Sequence, residues 1–118
     1  MELKEIVESA WEDRSLIQKK EVSVAIKILI EDLDLGKRRI AEPTDQGWVV
    51  NEWLKKAVIL YFPLMKMQLI EVGPFQFHDK IKLKSGYDHL GVRVVPHAIA
   101  RYGSFINKGT VLMPSYVN

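Results

Sequence analysis

Near its C-terminus the chain repeats itself every six residues. Ile99, Phe105, Val111 and Val117 keep that spacing, and four residues after each of the first three comes a small one: Gly103, Gly109 and Ser115. A helix repeats its faces about every 3.6 residues and a strand every ~2, and neither period generates such a pairing. A period of six is what a hexapeptide β-solenoid needs, in which each hexad supplies one short flat face and about three faces close a coil. The apolar residue of each hexad is then expected to point inward. The small residue fits the tight corner, where little side-chain volume is tolerated. From Val92 onward the chain therefore reads as the start of a solenoid.

The stretch before it reads as helices and hairpins. Leu3, Ile6, Val7, Ala10 and Trp11 recur at helical spacing with Glu2, Glu5, Glu8 and Glu12 between them, an amphipathic helix of about three turns. Val22, Ala25, Ile26, Leu29, Ile30 and Leu33 follow the i, i+3, i+4, i+7 rule of a second helix, with Gly36 where a stop belongs. Val24 and Ile28 add a second apolar stripe to it, suited to a further neighbour or a subunit interface. "RRIAEPTDQGWVV" reads as two short strands around Pro43 to Gly47. Asn51 is placed to cap a third helix, "EWLKKAVILYF", with Trp53, Ala57 and Leu60 on one face and Pro63 at its end. In "DKIKLK", Lys80, Lys82 and Lys84 alternate with Ile81 and Leu83, as in a half-exposed strand. Ser85 to Gly91 reads as a loop or one short helical turn.

Composition narrows the chemistry. The chain has no cysteine, which removes disulfides, thiolate metal sites and a cysteine nucleophile, and suits a cytoplasmic protein. A net charge of +2 is too small to argue for nucleic acid, and the short basic runs Lys19-Lys20, Lys37-Arg38-Arg39 and Lys55-Lys56 read as solvated faces. The N-terminus alternates charged with apolar residues, unlike a secretory leader. No apolar run approaches the ~18 residues of a membrane span. No glycine-rich phosphate loop occurs. His78, His89 and His97 lack ligand-like spacing, so no metal site is expected. Asp79 beside His78 suggests a base and its orienter, but neighbours on a strand face opposite ways. Trp11, Trp48 and Trp53 are expected in the core between helices and hairpin.

Five stretches carry a family resemblance: "LDLGKRRIAEP", "WVVNEWLKKAVILYF", "FHDK", "VRVVPHAIAR" and "GSFINKGTVLMPSYVN". With them the chain resembles the N-terminal part of the tetrahydrodipicolinate N-succinyltransferase family, bacterial enzymes of the diaminopimelate and lysine pathway. The likeness covers nearly all of the chain and is weakest from Pro63 to Phe77 and from Ser85 to His89, where the family usually carries a longer helix. The resemblance implies an α+β fold: a small helical and β-hairpin N-terminal domain over 1–91, then the first coil of a left-handed parallel β-helix over 92–118. It implies a homotrimer around a threefold axis, with active sites between neighbouring β-helices. The reaction it implies transfers succinyl from succinyl-CoA to the amino group of ring-opened tetrahydrodipicolinate.

That chemistry is attack of an amine on a thioester, which needs a base and donors for the tetrahedral oxyanion and no nucleophilic side chain. By the resemblance, the catalytic acids and the coenzyme A contacts belong to coils after Asn118. No catalytic, cofactor or metal residue is therefore expected here, and no cofactor bound by this chain. One substrate residue carries over. Arg93 in "VRVVP" matches an arginine that the resemblance implies binds substrate, and a guanidinium can hold a carboxylate of a dicarboxylate through two parallel hydrogen bonds. A solenoid coil with nothing stacked on it exposes backbone donors and an apolar interior. The expectation is a shortened piece of the enzyme, inactive and with negligible substrate affinity alone. The alternative is an assembly module descended from a shortened gene, which self-associates without catalysis. No membrane or nucleic-acid partner is expected.

Overall fold

A computed structural model describes residues 1–118. The first helix, α1 (Leu3–Glu12), buries Ile6, Val7 and Ala10, the face its spacing requires. Glu5 accepts a hydrogen bond from the backbone N–H of Glu2 at 3.4 Å, satisfying a donor that the helix start leaves free. Asp13 then stops the helix and starts a 3-10 turn (Arg14–Gln18): its carboxylate accepts from Ser15 N at 3.1 Å and from Ser15 Oγ at 2.6 Å. Helix α2 (Lys20–Asp34) buries all six residues of its expected face. Val24 and Ile28, its second apolar stripe, stay 43% and 46% exposed.

Gly36 ends this segment with φ +75°, a left-handed conformation that only glycine adopts cheaply. It also meets a close neighbour: a Cβ there would lie 2.6 Å from the ring of Phe105. The hairpin β1 (Ala41–Thr44) and β2 (Gly47–Val50) pairs antiparallel, from Ala41 opposite Val50 to Thr44 opposite Gly47. Thr44 Oγ1 donates to Gly47 O at 2.6 Å across the turn. The hairpin stands away from the core, and Trp48 is 70% exposed rather than packed inside.

Helix α3 (Glu52–Leu64) packs against α1 and α2 through Leu54, Ala57, Leu60 and Tyr61. Asn51 occupies the position before it, but its side-chain amide donates to Arg39 O at 2.7 Å instead of capping the helix. Pro63 lies inside the last turn, one residue before the end. A second antiparallel hairpin follows, β3 (Gln68–Val72) with β4 (Phe75–Asp79), turning at Gly73-Pro74. The alternating lysine run after it is not a strand. It makes one isolated bridge, Leu83 to Arg101; Lys84 is buried, Lys80 is half-buried with its Nζ donating to Phe62 O at 3.2 Å, and of the three lysines Lys82 alone is exposed. The short helix α4 (Tyr87–Leu90) falls between Gly86 and Gly91, as one helical turn.

The expected β-helix coil is not what residues 92–118 form. They make two separate two-stranded parallel ladders, β5 (Arg93–Val94) with β7 (Val111–Leu112) and β6 (Ile99–Ala100) with β8 (Tyr116–Val117). No sheet is closed or strongly curled. Nor do the six-spaced residues share an interior. Val111 is 50% exposed, Phe105 lies against Gly36, and Ile99 sits beside Phe77 and Leu83; only Val117 joins the local cluster. That cluster is built on Val92, Ala100 and Ile106. Paired runs of two residues are too short to impose a period, so each apolar side chain goes to its best local contact; for Phe105 that contact is the helical unit. The observed class is α+β with small sheets. No helix is long and apolar enough to cross a membrane.

Candidate functional site

Arg93 opens β5, and backbone bonds on both sides hold its position. Its own N–H donates to Thr110 O at 3.0 Å, and Val95 N donates to Leu112 O at 2.9 Å. The turn that supplies Thr110 is tied down in turn: Gly109 N donates to Gly91 O at 2.9 Å, and Thr110 N to Asn107 O at 3.2 Å. The residue is exposed, and its guanidinium takes part in none of the ion pairs of the chain. A fixed backbone bearing a free guanidinium is a suitable arrangement for meeting an external carboxylate. Lys108 packs over Gly91 nearby and adds a second positive charge to the surface.

The other residues singled out in the sequence are not brought together. His78 lies on β4, His89 is on the exposed side of α4, and His97 follows β5 with its ring edge-on to Phe75 at 5.6 Å. No group of three His, Asp or Glu side chains is arranged to hold a metal ion. Asp79 does not orient His78. It accepts from Arg101 Nη2 at 2.6 Å, and this hydrogen bond, with one from the backbone of Lys80, holds its carboxyl below the usual range. Trp11 and Trp53 lie in separate places, each with a cation over its ring: Arg14 at 4.3 Å and Arg38 at 5.6 Å.

Polar chemistry concentrates instead where the helical unit meets the C-terminal segment. Lys84 Nζ donates to Asp34 Oδ1 and to Asp34 O, both at 2.9 Å, and Gly103 N donates to the same carboxylate oxygen at 2.8 Å. Tyr102 donates its hydroxyl proton to Glu31, and Lys82 Nζ sits 4.2 Å above the Tyr102 ring. Burial first, then the Glu31 carboxylate, push the Tyr102 phenol well above its ordinary value. A phenol so disfavoured as an anion is no general base. Sequence reasoning missed this seam. Asp34 is 50 residues from Lys84, and no local pattern links them.

The family model for the N-terminal region of tetrahydrodipicolinate N-succinyltransferase matches residues 2–64. The chain is 44% identical to the 2,3,4,5-tetrahydropyridine-2,6-dicarboxylate N-succinyltransferase of Bordetella petrii, an alignment covering 100% of this chain and 47% of that protein. It is 46% identical to the protein of the same name from Pseudoalteromonas translucida, over 99% of this chain and 46% of that one. The corresponding protein of Paracidovorax citrulli is 44% identical over 99% of this chain. The chain thus spans about half the length of the curated relatives it matches.

Proposed function

The chain belongs to the tetrahydrodipicolinate N-succinyltransferase family, and from that membership we propose that it acts as the N-terminal part of an N-succinyltransferase. In that role it contributes to transfer of a succinyl group from succinyl-CoA to the amino group of ring-opened tetrahydrodipicolinate, a step of lysine and diaminopimelate synthesis. The observation that carries this reading is an alignment of the whole chain, at 44% identity, with part of a protein bearing that name.

Within the reaction, Arg93 is the residue we assign to substrate. Its guanidinium has no carboxylate of its own to satisfy it, and the substrate is a dicarboxylate. A planar fork matches a carboxylate with two charge-assisted bonds, where lysine supplies only a point charge. We assign neither the base nor the oxyanion donors to this chain. Asp32, Asp34 and Asp79 are each already paired with a cation. The 118 residues alone are therefore expected to release no thiol from succinyl-CoA. Threefold self-association belongs to the same reading and is supported by the uncovered stripe of Val24 and Ile28 on α2.

A segment exchange tests the proposal. Residues 1–118 replace the matching half of the Bordetella petrii protein, and thiol release from succinyl-CoA is followed with a 2-aminopimelate-like amine as acceptor. An active chimera supports the reading. A chimera that assembles as the parent does, yet transfers nothing, would overturn it. Light scattering supplies the assembly measurement.

A further inference from the structure

Resting on the assignment of Arg93 to substrate, we propose that Arg93 and Val111 together seat the substrate carboxylate remote from the reacting amine. Arg93 pairs with Val111 in the parallel ladder of β5 and β7, as Val94 pairs with Leu112. Val94 and Leu112 pack on the cluster of Val92, Ala100 and Ile106. Successive side chains of a strand take opposite faces, so Arg93 and Val111 share the outward face, on strands about 4.8 Å apart. Both are open to solvent there: Arg93 is exposed and Val111 is 50% exposed.

The pair makes a step. Arginine is long and valine is short and stiff, so the guanidinium reaches further from the ladder than the valine methyls do. A carboxylate held by the fork leaves its adjoining carbons over Val111, which shields hydrocarbon but neither donates nor accepts a hydrogen bond.

The two ends of the substrate differ in what adjoins the carboxylate. At one end it is the carbon bearing the amine, an ammonium until its proton is taken. At the other, ring opening leaves a ketone and then methylenes, none of them charged. An ammonium over Val111 would give up water for no partner, beside the Arg93 cation and near Lys108, whose stem lies over Gly91. No Asp or Glu occurs from His89 to Asn118 to receive it, and Asp88, just before, faces His89 at 3.8 Å. The uncharged end fits the step. The amine then points away from this ladder, toward the base and oxyanion donors that we do not assign to this chain.

The chimera with the Bordetella petrii protein tests this with three acceptors: 2-aminopimelate, 2-aminoheptanoate, which lacks the remote carboxylate, and 6-aminohexanoate, which lacks the one beside the amine. Arg93→Ala should lower kcat/KM about tenfold or more for 2-aminopimelate and 6-aminohexanoate, and about twofold or less for 2-aminoheptanoate. Val111→Asp, which sets a carboxylate beside the guanidinium, should give the same pattern, chiefly through KM. An acceptor turned over too slowly is read by its inhibition of transfer to 2-aminopimelate. Ratios between acceptors on one protein do not depend on how much of it is folded, so a poorly folding variant still decides. Losses that spare 6-aminohexanoate and persist with 2-aminoheptanoate would put the amine end on Arg93, overturning the proposal but not the role of Arg93 in binding. Equal losses for all three acceptors, or a Val111→Asp chimera unaffected with 2-aminopimelate, would overturn it too. An inactive chimera, or full activity of Arg93→Ala on 2-aminopimelate, would overturn the assignment of Arg93 and this proposal together.

Discussion

Lys84 and Asp34 form an ion pair of 2.9 Å with only 1% of the lysine side chain exposed. It joins the helical unit to the C-terminal segment, because Asp34 ends α2 and also accepts from Gly103 N, while Lys84 N donates to Ala100 O at 2.8 Å. Removing one member leaves the other charged, buried and alone. Lys84→Met is therefore expected to cost about 3 kcal/mol or more of stability. Lys84→Met with Asp34→Asn should cost less than the sum of the two single changes, because the orphaned charge is gone. Urea unfolding of the four proteins measures the coupling; strict additivity would show that the pair holds nothing together.

Gly36 and Phe105 make the second tie across the same seam. Gly36→Ala places a methyl group 2.6 Å from ring atoms at a backbone φ of +75°. The left-handed conformation alone costs ~1 kcal/mol for an L residue, and the overlap with the ring adds ~1–3. Phe105→Leu in the same chain should recover part of the overlap and none of the backbone strain. The unfolding midpoints in urea separate the two.

Why some of this was legible and some was not follows from how far each contact reaches along the chain. The faces of α1 and α2 are set within a few turns, so the spacing from Leu3 to Trp11 and from Val22 to Leu33 reports them directly. The hairpin β3–β4 carried a readable signal in Gly73-Pro74 flanked by Leu69, Ile70, Val72, Phe75 and Phe77, although the sequence reading did not use it. Lys84 could not be distinguished from Lys80 and Lys82 by pattern, because only a distant aspartate makes its burial affordable. The period of six misled for a related reason: Phe105 answers to Gly36, a partner the period does not contain. At the site, Arg93 was singled out by likeness, and nothing in its neighbours' chemistry would have found it.

Alkaline pH should weaken the fold through its tyrosines. Burial raises the phenols of Tyr61, Tyr87 and Tyr102 above the ordinary value of 10.0, and the negative charge of Glu31 adds to the shift at Tyr61 and Tyr102. A raised folded value means the folded chain holds the proton longer, so this stability is complete below pH 10 and lost as the pH climbs beyond it. Tyr102→Phe removes the most shifted phenol and should flatten the decline, at the cost of the hydrogen bond to Glu31. Stability measured from pH 9 upward checks this; an unchanged slope in the variant would contradict it.

The acid side runs the other way. Asp79 is held below the ordinary 3.8 chiefly by its hydrogen bond from Arg101. A depressed folded value contributes stability that is present above the unfolded value and lost as pH falls through the folded one. The carboxylate side chain is 37% exposed, so solvent screens the pair and the effect should be modest. Asp79→Asn should therefore lower stability slightly at neutral pH, and the difference from the unaltered chain should shrink as acid protonates the Asp79 carboxylate. Urea midpoints at neutral and acid pH read the difference.

Arg93 separates a binding role from a structural one. Its backbone bond to Thr110 involves no side-chain atom, and its exposed guanidinium pairs with no carboxylate. Arg93→Ala should leave the urea midpoint of the 118-residue chain within about 0.5 kcal/mol, as for a surface change that removes no contact. On the proposed assignment, the same change in the chimera with the Bordetella petrii protein should remove a charge-assisted pair of bonds worth ~1.5–3 kcal/mol and lower kcat/KM about tenfold to a hundredfold. Arg93→Lys keeps the charge and loses the fork, so its kcat/KM should fall between the two. Full activity in the alanine variant would remove Arg93 from the substrate site. A large loss of stability would show instead that the residue holds the fold.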